Sequence, residues 1–300
     1  MQVVEIRGRR EAVVVEAPTP EPGPGEVLVE IVASGVCASD VALWEGPRGG
    51  TMRHGHEFAG VVTAIGESVA SRAVGDRVTG FGSPTHASHL VAAQDDVLTL
   101  PGRVPLWAGL GEPLACVVAA VRRARIEPGE PVAVVGLGSM GALAAQVAVA
   151  LGAGSVELHD RDAGRVEGVA DLLGDRAVRR GSVRPRCAVV LEFTGSSGGL
   201  ELAGQLTRSM GRLVVGGYHA KGARQLDLDW WYRGIDVLGG FTPDRAVARE
   251  AMALGLEMAA RGDVDLEALV THRVGLGAID EAYALLRERP PGFVKAVLEP

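Results

Sequence analysis

The sequence predicts an α/β protein of two domains, one mostly β and one a doubly wound parallel sheet. Three observations carry this. Short β-branched runs between Gly- and Pro-rich turns fill the N-terminal third. From residue 132 onward, strands and helices alternate, as in a parallel sheet covered by helices. The run GLGSMG (136–141) follows an apolar strand and opens a helix. A chain of 300 residues also exceeds what one core usually organises.

The elements follow in order. Residues 2–6 and 12–16 read as strands around a turn at 8–10, and PTPEPGPGE (18–26) is turn-rich punctuation. VLVEIVA (27–33) alternates and is β-branched, so it is a strand, and it runs into a loop holding Cys37. Residues 58–65 form another strand, and VGDRV (74–78) carries a turn into the next. The period then becomes helical over 110–125, with Pro113 at a first helical position. Strands follow at 132–135 and 155–159, with an Ala-rich helix over 139–151 between them. Later strands fall at 189–193, 212–216 and 235–240. Strand character returns at 271–274 and 294–298, around a helix at 278–287. The expected division is 1–115 with 266–300 as one domain and 116–265 as the other.

Composition excludes several classes. A net charge of −7 argues against a nucleic-acid surface, and the basic run 122–125 is too short to make one. Three cysteines, far apart and with no C-x-x-C pair, fit a reducing, cytoplasmic compartment and exclude a four-cysteine zinc site. The longest apolar stretch, 141–154, contains Gln146 and is too short to span a bilayer, so no membrane partner is expected.

The glycine run has the context of a dinucleotide fingerprint. Gly136 makes the tight turn, Gly138 lets a pyrophosphate approach the backbone, and Gly141 lets helix and strand pack closely. Leu137, Ser139 and Met140 complete the turn, and the helix N-terminus faces the pyrophosphate. Asp160, at the end of the second strand, is placed to hold the adenosine ribose hydroxyls. Its charge would repel a 2′-phosphate, which favours NAD over NADP; Arg161 and Arg165 soften that preference. Thr194, Gly217, Gly240 and Phe241 lie at the ends of later strands and are candidates for the nicotinamide side.

The stretch 34–60 gathers Cys37, Ser39, Asp40, His56 and Glu57. Thiolate and imidazole are ligand types zinc prefers, and a catalytic zinc keeps about three protein ligands and an open position. Cys37 and His56 could supply two ligands, and Asp40 could accept the other N–H of His56. Taken alone, the pair also fits a buried cysteine and a satisfied core histidine.

The motifs GVCASD (35–40), Trp44-Glu45, GHEFAG (55–60), VGDRV, GEPLAC (111–116), GLGSMG and THRVGLGAIDEAYALL (271–286) settle the choice. On them the chain resembles the zinc-dependent medium-chain dehydrogenase/reductases of the alcohol dehydrogenase superfamily, closest to the sorbitol and threonine dehydrogenase branch. The resemblance implies a GroES-like catalytic domain and a Rossmann domain. It implies zinc ligands at Cys37 and His56, with Glu57 and Glu112 as further ligands or holders of zinc-bound water. Ser39 would take the substrate proton, Asp40 would partner the zinc histidine, and Trp44 and Arg48 would stand near the substrate entrance. The implied reaction is hydride transfer between a secondary alcohol (polyol, cyclitol or amino alcohol) or its ketone and NAD, in a homodimer or homotetramer.

Two departures from the family pattern matter. The insertion that carries four cysteines is missing after Val78, so one zinc per chain is expected, and His86 and His89 would line an opened pocket there. Ala42 stands where the family often has a proton-passing histidine; Ser39 with the cofactor ribose and water, or His54, would serve instead. The alternatives are a zinc-free quinone or enoyl reductase of the same fold, which would lack the Cys/His/Glu set, and a non-catalytic NAD-binding protein.

Overall fold

A computed structural model describes the chain apart from residues 47–49, 180–186 and 221. Its N-terminal elements are β1 (Gln2–Gly8), β2 (Glu11–Glu16), β3 (Glu26–Gly35), α1 (Ala38–Glu45), β4 (Glu57–Ile65), β5 (Arg77–Phe81), β6 (His89–Ala93), β7 (Val97–Thr99) and α2 (Gly111–Arg123). Next come β8 (Pro131–Val135), α3 (Ser139–Ala150), β9 (Ser155–His159), α4 (Ala163–Leu173), β10 (Ala177–Arg179), β11 (Cys187–Glu192) and α5 (Ser197–Leu206). The rest are β12 (Thr207–Val215), α6 (Leu228–Tyr232), β13 (Asp236–Gly239), α7 (Arg245–Arg261), β14 (His272–Gly275), α8 (Ile279–Glu288) and β15 (Ala296–Glu299). Contacts divide the chain into Met1–Pro113 with Leu266–Pro300, and Leu114–Asp265.

The first unit is GroES-like. Its main sheet runs β14-β15-β3-β4-β5-β7, with β6 also on β3, and is antiparallel except where β14 meets β15. Alternation in β3 buries Val27, Val29 and Ile31 against Phe58, Val62, Val78 and Leu90. The end of β3 positions the site: Gly35 lies opposite Glu57 of β4 on one side and Val297 of β15 on the other. The β1–β2 hairpin packs Val4 and Ile6 into a second core with Trp44, Tyr283 and Phe293.

The second unit is Rossmann-like. Its strands are all parallel, in the order β10-β9-β8-β11-β12-β13. Counted from β8 this is 3-2-1-4-5-6, the dinucleotide-binding order, with its reversal between β8 and β11. β11 is buried along its whole length, as a central strand covered on both faces should be.

Two local expectations change. The Cys37 loop closes into α1, whose sequence ASDVALWE shows little helical patterning. α2 begins at Gly111, before Pro113, because Thr79 Oγ1 accepts the Gly111 amide at 2.7 Å. Pro113 is still in the first turn, where a missing N–H costs nothing. No helix among the described residues is long and apolar enough to cross a membrane.

Candidate active site

The metal-ligating candidates are built on the junction of β3, α1 and β4. Cys37 caps α1, and its amide donates to Asp40 Oδ2 at 2.8 Å, the reciprocal half of a capping box. His56 and Glu57 enter β4 directly opposite. One ligand atom each from Cys37, His56 and Glu57 lies within 4.8 Å of the other two. Tetrahedral zinc bonds of 2.0–2.3 Å place donors roughly 3.3–3.8 Å apart, so modest side-chain movement closes the set. A sulfur, an imidazole and a carboxylate fit zinc by donor type as well. Gly35 makes room for this: a Cβ there would stand 1.9 Å from Glu57 Oε2 and 2.6 Å from Leu110.

Glu57 is buried and faces Lys295, whose Nζ is 2.6 Å from Oε2 and 2.8 Å from Oε1 and also donates to Val36 O at 3.0 Å. Burial works against the lysine's charge, yet Glu57, with Cys37 and Asp40, outweighs it and raises its pKa. Sequence reasoning missed Lys295. The available signal was its rarity: it is one of only two lysines in the chain and stands inside the apolar run leading to β15.

Asp40 is fully buried and surrounded by imidazoles. His54 Nε2 is 2.8 Å and His56 Nδ1 3.5 Å from Oδ1, and His86 Nε2 is 3.4 Å from Oδ2. Burial penalises the carboxylate, but His54, His56 and His86 outweigh this and hold it well below the usual range. Burial also works against a charged His56, yet Asp40, Cys37 and Glu57 push its pKa up to about 11. A metal entering here displaces that proton.

The other expected residues are distributed as follows. Ser39 is half-buried in the first turn of α1. Glu112 lies in the first turn of α2, outside both clusters of potential metal ligands found among the described residues. Trp44, expected near the substrate entrance, is 4% exposed, its ring centre lies 5.5 Å from that of Tyr283 in a tilted pair, and it donates its ring N–H to Asp280 at 2.7 Å. His86 is buried, its Nδ1 2.8 Å from Ser34 Oγ. Arg48 lies outside the described residues.

In the second unit, the Gly136–Gly141 turn joins β8 to α3 at the reversal of strand order. Gly141 has no room for a side chain, since a Cβ would lie 1.7 Å from Gly136 O. Asp160 braces the turn: Oδ2 accepts the Leu137 amide at 2.7 Å and Oδ1 the Asp162 amide at 2.9 Å. A carboxylate offers about four acceptor positions, so two remain for ribose hydroxyls. Ser139 and Met140 open α3. Arg161 is exposed, while Arg165 Nε lies 3.7 Å from Asp162.

Thr194, Gly217 and Gly240 sit at the carboxyl ends of β11, β12 and β13, where Gly217 N donates to Glu192 O at 2.9 Å and Gly240 N to Val215 O at 2.8 Å. Phe241 follows, largely exposed. Glu192, also missed, is fully buried and accepts from Thr194 N at 2.6 Å and Gly195 N at 3.0 Å. His219 Nε2 reaches it at 3.0 Å, and Arg224 Nε donates to His219 Nδ1 at 2.9 Å. A carboxylate closing an otherwise apolar strand, CAVVLE, was the signal for it.

Residues 23–102 match the alcohol dehydrogenase GroES-like domain. The chain is 28% identical to a sorbitol dehydrogenase of Halalkalibacterium halodurans, over 96% of this chain and 95% of that protein. A thermostable alcohol dehydrogenase from Pyrobaculum aerophilum, solved with cobalt and zinc, superposes with a TM-score of 0.85 at 26% identity, over 100% and 99% of the two chains. A dehydrogenase of Sinorhizobium meliloti 1021 bound to NADP shares the fold with a TM-score of 0.86 at 24% identity, over 100% and 99%. The GroES-like sheet, the Rossmann-like order and these relatives together support a medium-chain dehydrogenase/reductase of the alcohol dehydrogenase type, similar to sorbitol dehydrogenase.

Proposed function

We propose that this oxidoreductase is a zinc-dependent dehydrogenase of secondary alcohols of polyol, cyclitol or amino alcohol type, with NAD as preferred cofactor. The observation that carries this reading is the gathering of Cys37, His56 and Glu57 within 4.8 Å. The relatives named as sorbitol dehydrogenases support the polyol class.

A zinc ion held there supplies Lewis acidity, which makes an alcohol hydroxyl easier to deprotonate near neutral pH. Ser39, two residues after Cys37, takes the alcohol proton. Asp40 Oδ1 stands 3.5 Å from His56 Nδ1, close enough to orient the ring after a small movement, and Lys295 balances the charge of Glu57. Glu112 is the remaining candidate ligand. In the second unit the amides of the Gly136–Gly141 turn and the α3 N-terminus take the pyrophosphate, and Asp160 the ribose hydroxyls. The negative charge of Asp160 supports NAD, and the pairing of Arg165 with Asp162 limits its use for a 2′-phosphate. β13 ends the sheet among the described residues, near exposed Trp231, Tyr232 and Phe241, which supports association of the second unit with another copy.

Elemental analysis tests the reading first. About one zinc per chain, with NAD-dependent oxidation of polyols lost in Cys37→Ser while NAD binding persists, is the expected result. A zinc-supplied preparation that holds none overturns it.

A further inference from the structure

We propose that the chain has a second cation site, formed by Asp40, His54 and His56, that overlaps the Cys37 site and offers the metal an alternative resting place without sulfur. The inference rests on the Cys37-centred reading, because both sites draw on His56. One ligand atom each from Asp40, His54 and His56 lies within 4.8 Å of the other two.

Unsatisfied polar atoms point to a ligand there. Asp40 is fully buried, and His86 is 1% exposed. Asp40 Oδ1, His54 Nε2 and His86 Nε2 are all buried, yet none makes a directed hydrogen bond despite separations of 2.8–3.4 Å from Asp40 to the two rings. Buried polar atoms are ordinarily paired. Orienting His56 requires one carboxylate and one ring; two further imidazoles exceed that need. A cation satisfies such a group because it gathers lone pairs and needs no N–H vector. Bonds of 2.0–2.1 Å place tetrahedral donors roughly 3.4 Å apart. The 3.5 Å between His56 Nδ1 and Asp40 Oδ1 matches this, and the 2.8 Å to His54 must open by roughly half an ångström. The segment carrying both histidines is held in place by His86 N donating to His54 O at 3.2 Å and Thr85 N to Gly55 O at 3.1 Å.

The donors are one carboxylate oxygen and two imidazole nitrogens, a harder set than one with thiolate and suited to zinc, cobalt or nickel. A neutral imidazole has one lone-pair nitrogen, so His56 serves one ion at a time. An ion at Asp40 therefore withdraws His56 from Cys37, and the two sites are alternatives.

Cobalt titration of the full chain, read by absorption spectroscopy, tests this. Wild type should bind one cobalt with a thiolate-to-cobalt charge-transfer band. Cys37→Ser should still bind one cobalt, without that band. Adding His54→Ala, or the milder His54→Gln, should weaken cobalt binding by about 100-fold, with an unchanged near-ultraviolet circular dichroism spectrum showing that the fold is retained. A Cys37→Ser chain that binds no cobalt, or double variants that bind it as tightly as Cys37→Ser, overturns the second site and leaves the Cys37 site intact. Wild-type cobalt lacking the thiolate band and lost on His54→Ala alone supports the second site and overturns the Cys37 one.

Discussion

The two candidate sites are made of different material. The dinucleotide turn is mostly backbone: amides, a helix N-terminus, glycines that keep side chains out, and one bracing carboxylate, Asp160, drawn from a single strand–helix–strand unit. The metal group is mostly side chain, and its supports come from three distant parts of the chain: residues 34–57, His86 and Lys295. A backbone site fails when space is taken away. A side-chain site fails when charge is left unbalanced.

The largest effect should follow from Lys295→Met. It leaves Glu57 buried beside Gly35 without a counter-charge, a change that costs about 3–5 kcal/mol. Urea unfolding measures the loss, and adding Glu57→Gln should restore part of it. If Lys295→Met is neutral, the contrast between the sites collapses.

Two glycine substitutions sharpen the comparison. Gly35→Ala pushes into the Glu57 carboxylate and should lower turnover about 100-fold while cofactor affinity holds. Gly141→Ala pushes into Gly136 O and should weaken cofactor binding at least about tenfold, roughly 1.4 kcal/mol, with metal content unchanged. Nicotinamide fluorescence and elemental analysis separate the two. Crossed effects would show that the sites do not fail independently.

The effect that grows in the smallest steps is a pH dependence in the second unit. Burial first, and then Glu157, raises the Cys187 thiol from 9.0 to about 12. Between those values the unfolded chain releases this proton and the folded chain keeps it. Stability therefore falls as pH rises through that window, by at most about 1.4 kcal/mol per pH unit. Denaturation at several alkaline pH values should show the slope in wild type and a shallower one in Cys187→Ala.

The same contrast governs what could be read in the sequence. GLGSMG and Asp160 were legible because their spacing along the chain is their spacing in the fold. The strands were legible from alternation, and the grouping of Cys37, His56 and Glu57 followed from motifs one β–α–β step apart. Lys295 was not legible: its partner depends on β15 docking on β3, a pairing that no local pattern encodes. The surroundings of Trp44 were not legible for the same reason, because the acceptor that fixes its indole is 236 residues away. Glu192 and His219 depend on where two strand ends meet.

The ion pair between Glu57 and Lys295 also has a timetable. The two residues are 238 positions apart, and the whole second unit is made between them. At roughly 5–20 residues per second, a ribosome reaches Lys295 at least about ten seconds after Glu57. The inserted unit is continuous and can fold first, while the unit that begins earlier waits for its last strand. Until β15 arrives, Glu57 is an uncompensated carboxylate next to Cys37 and His56. The nascent chain thus carries a bare Glu57 charge that the finished protein, with Lys295 in place, no longer shows.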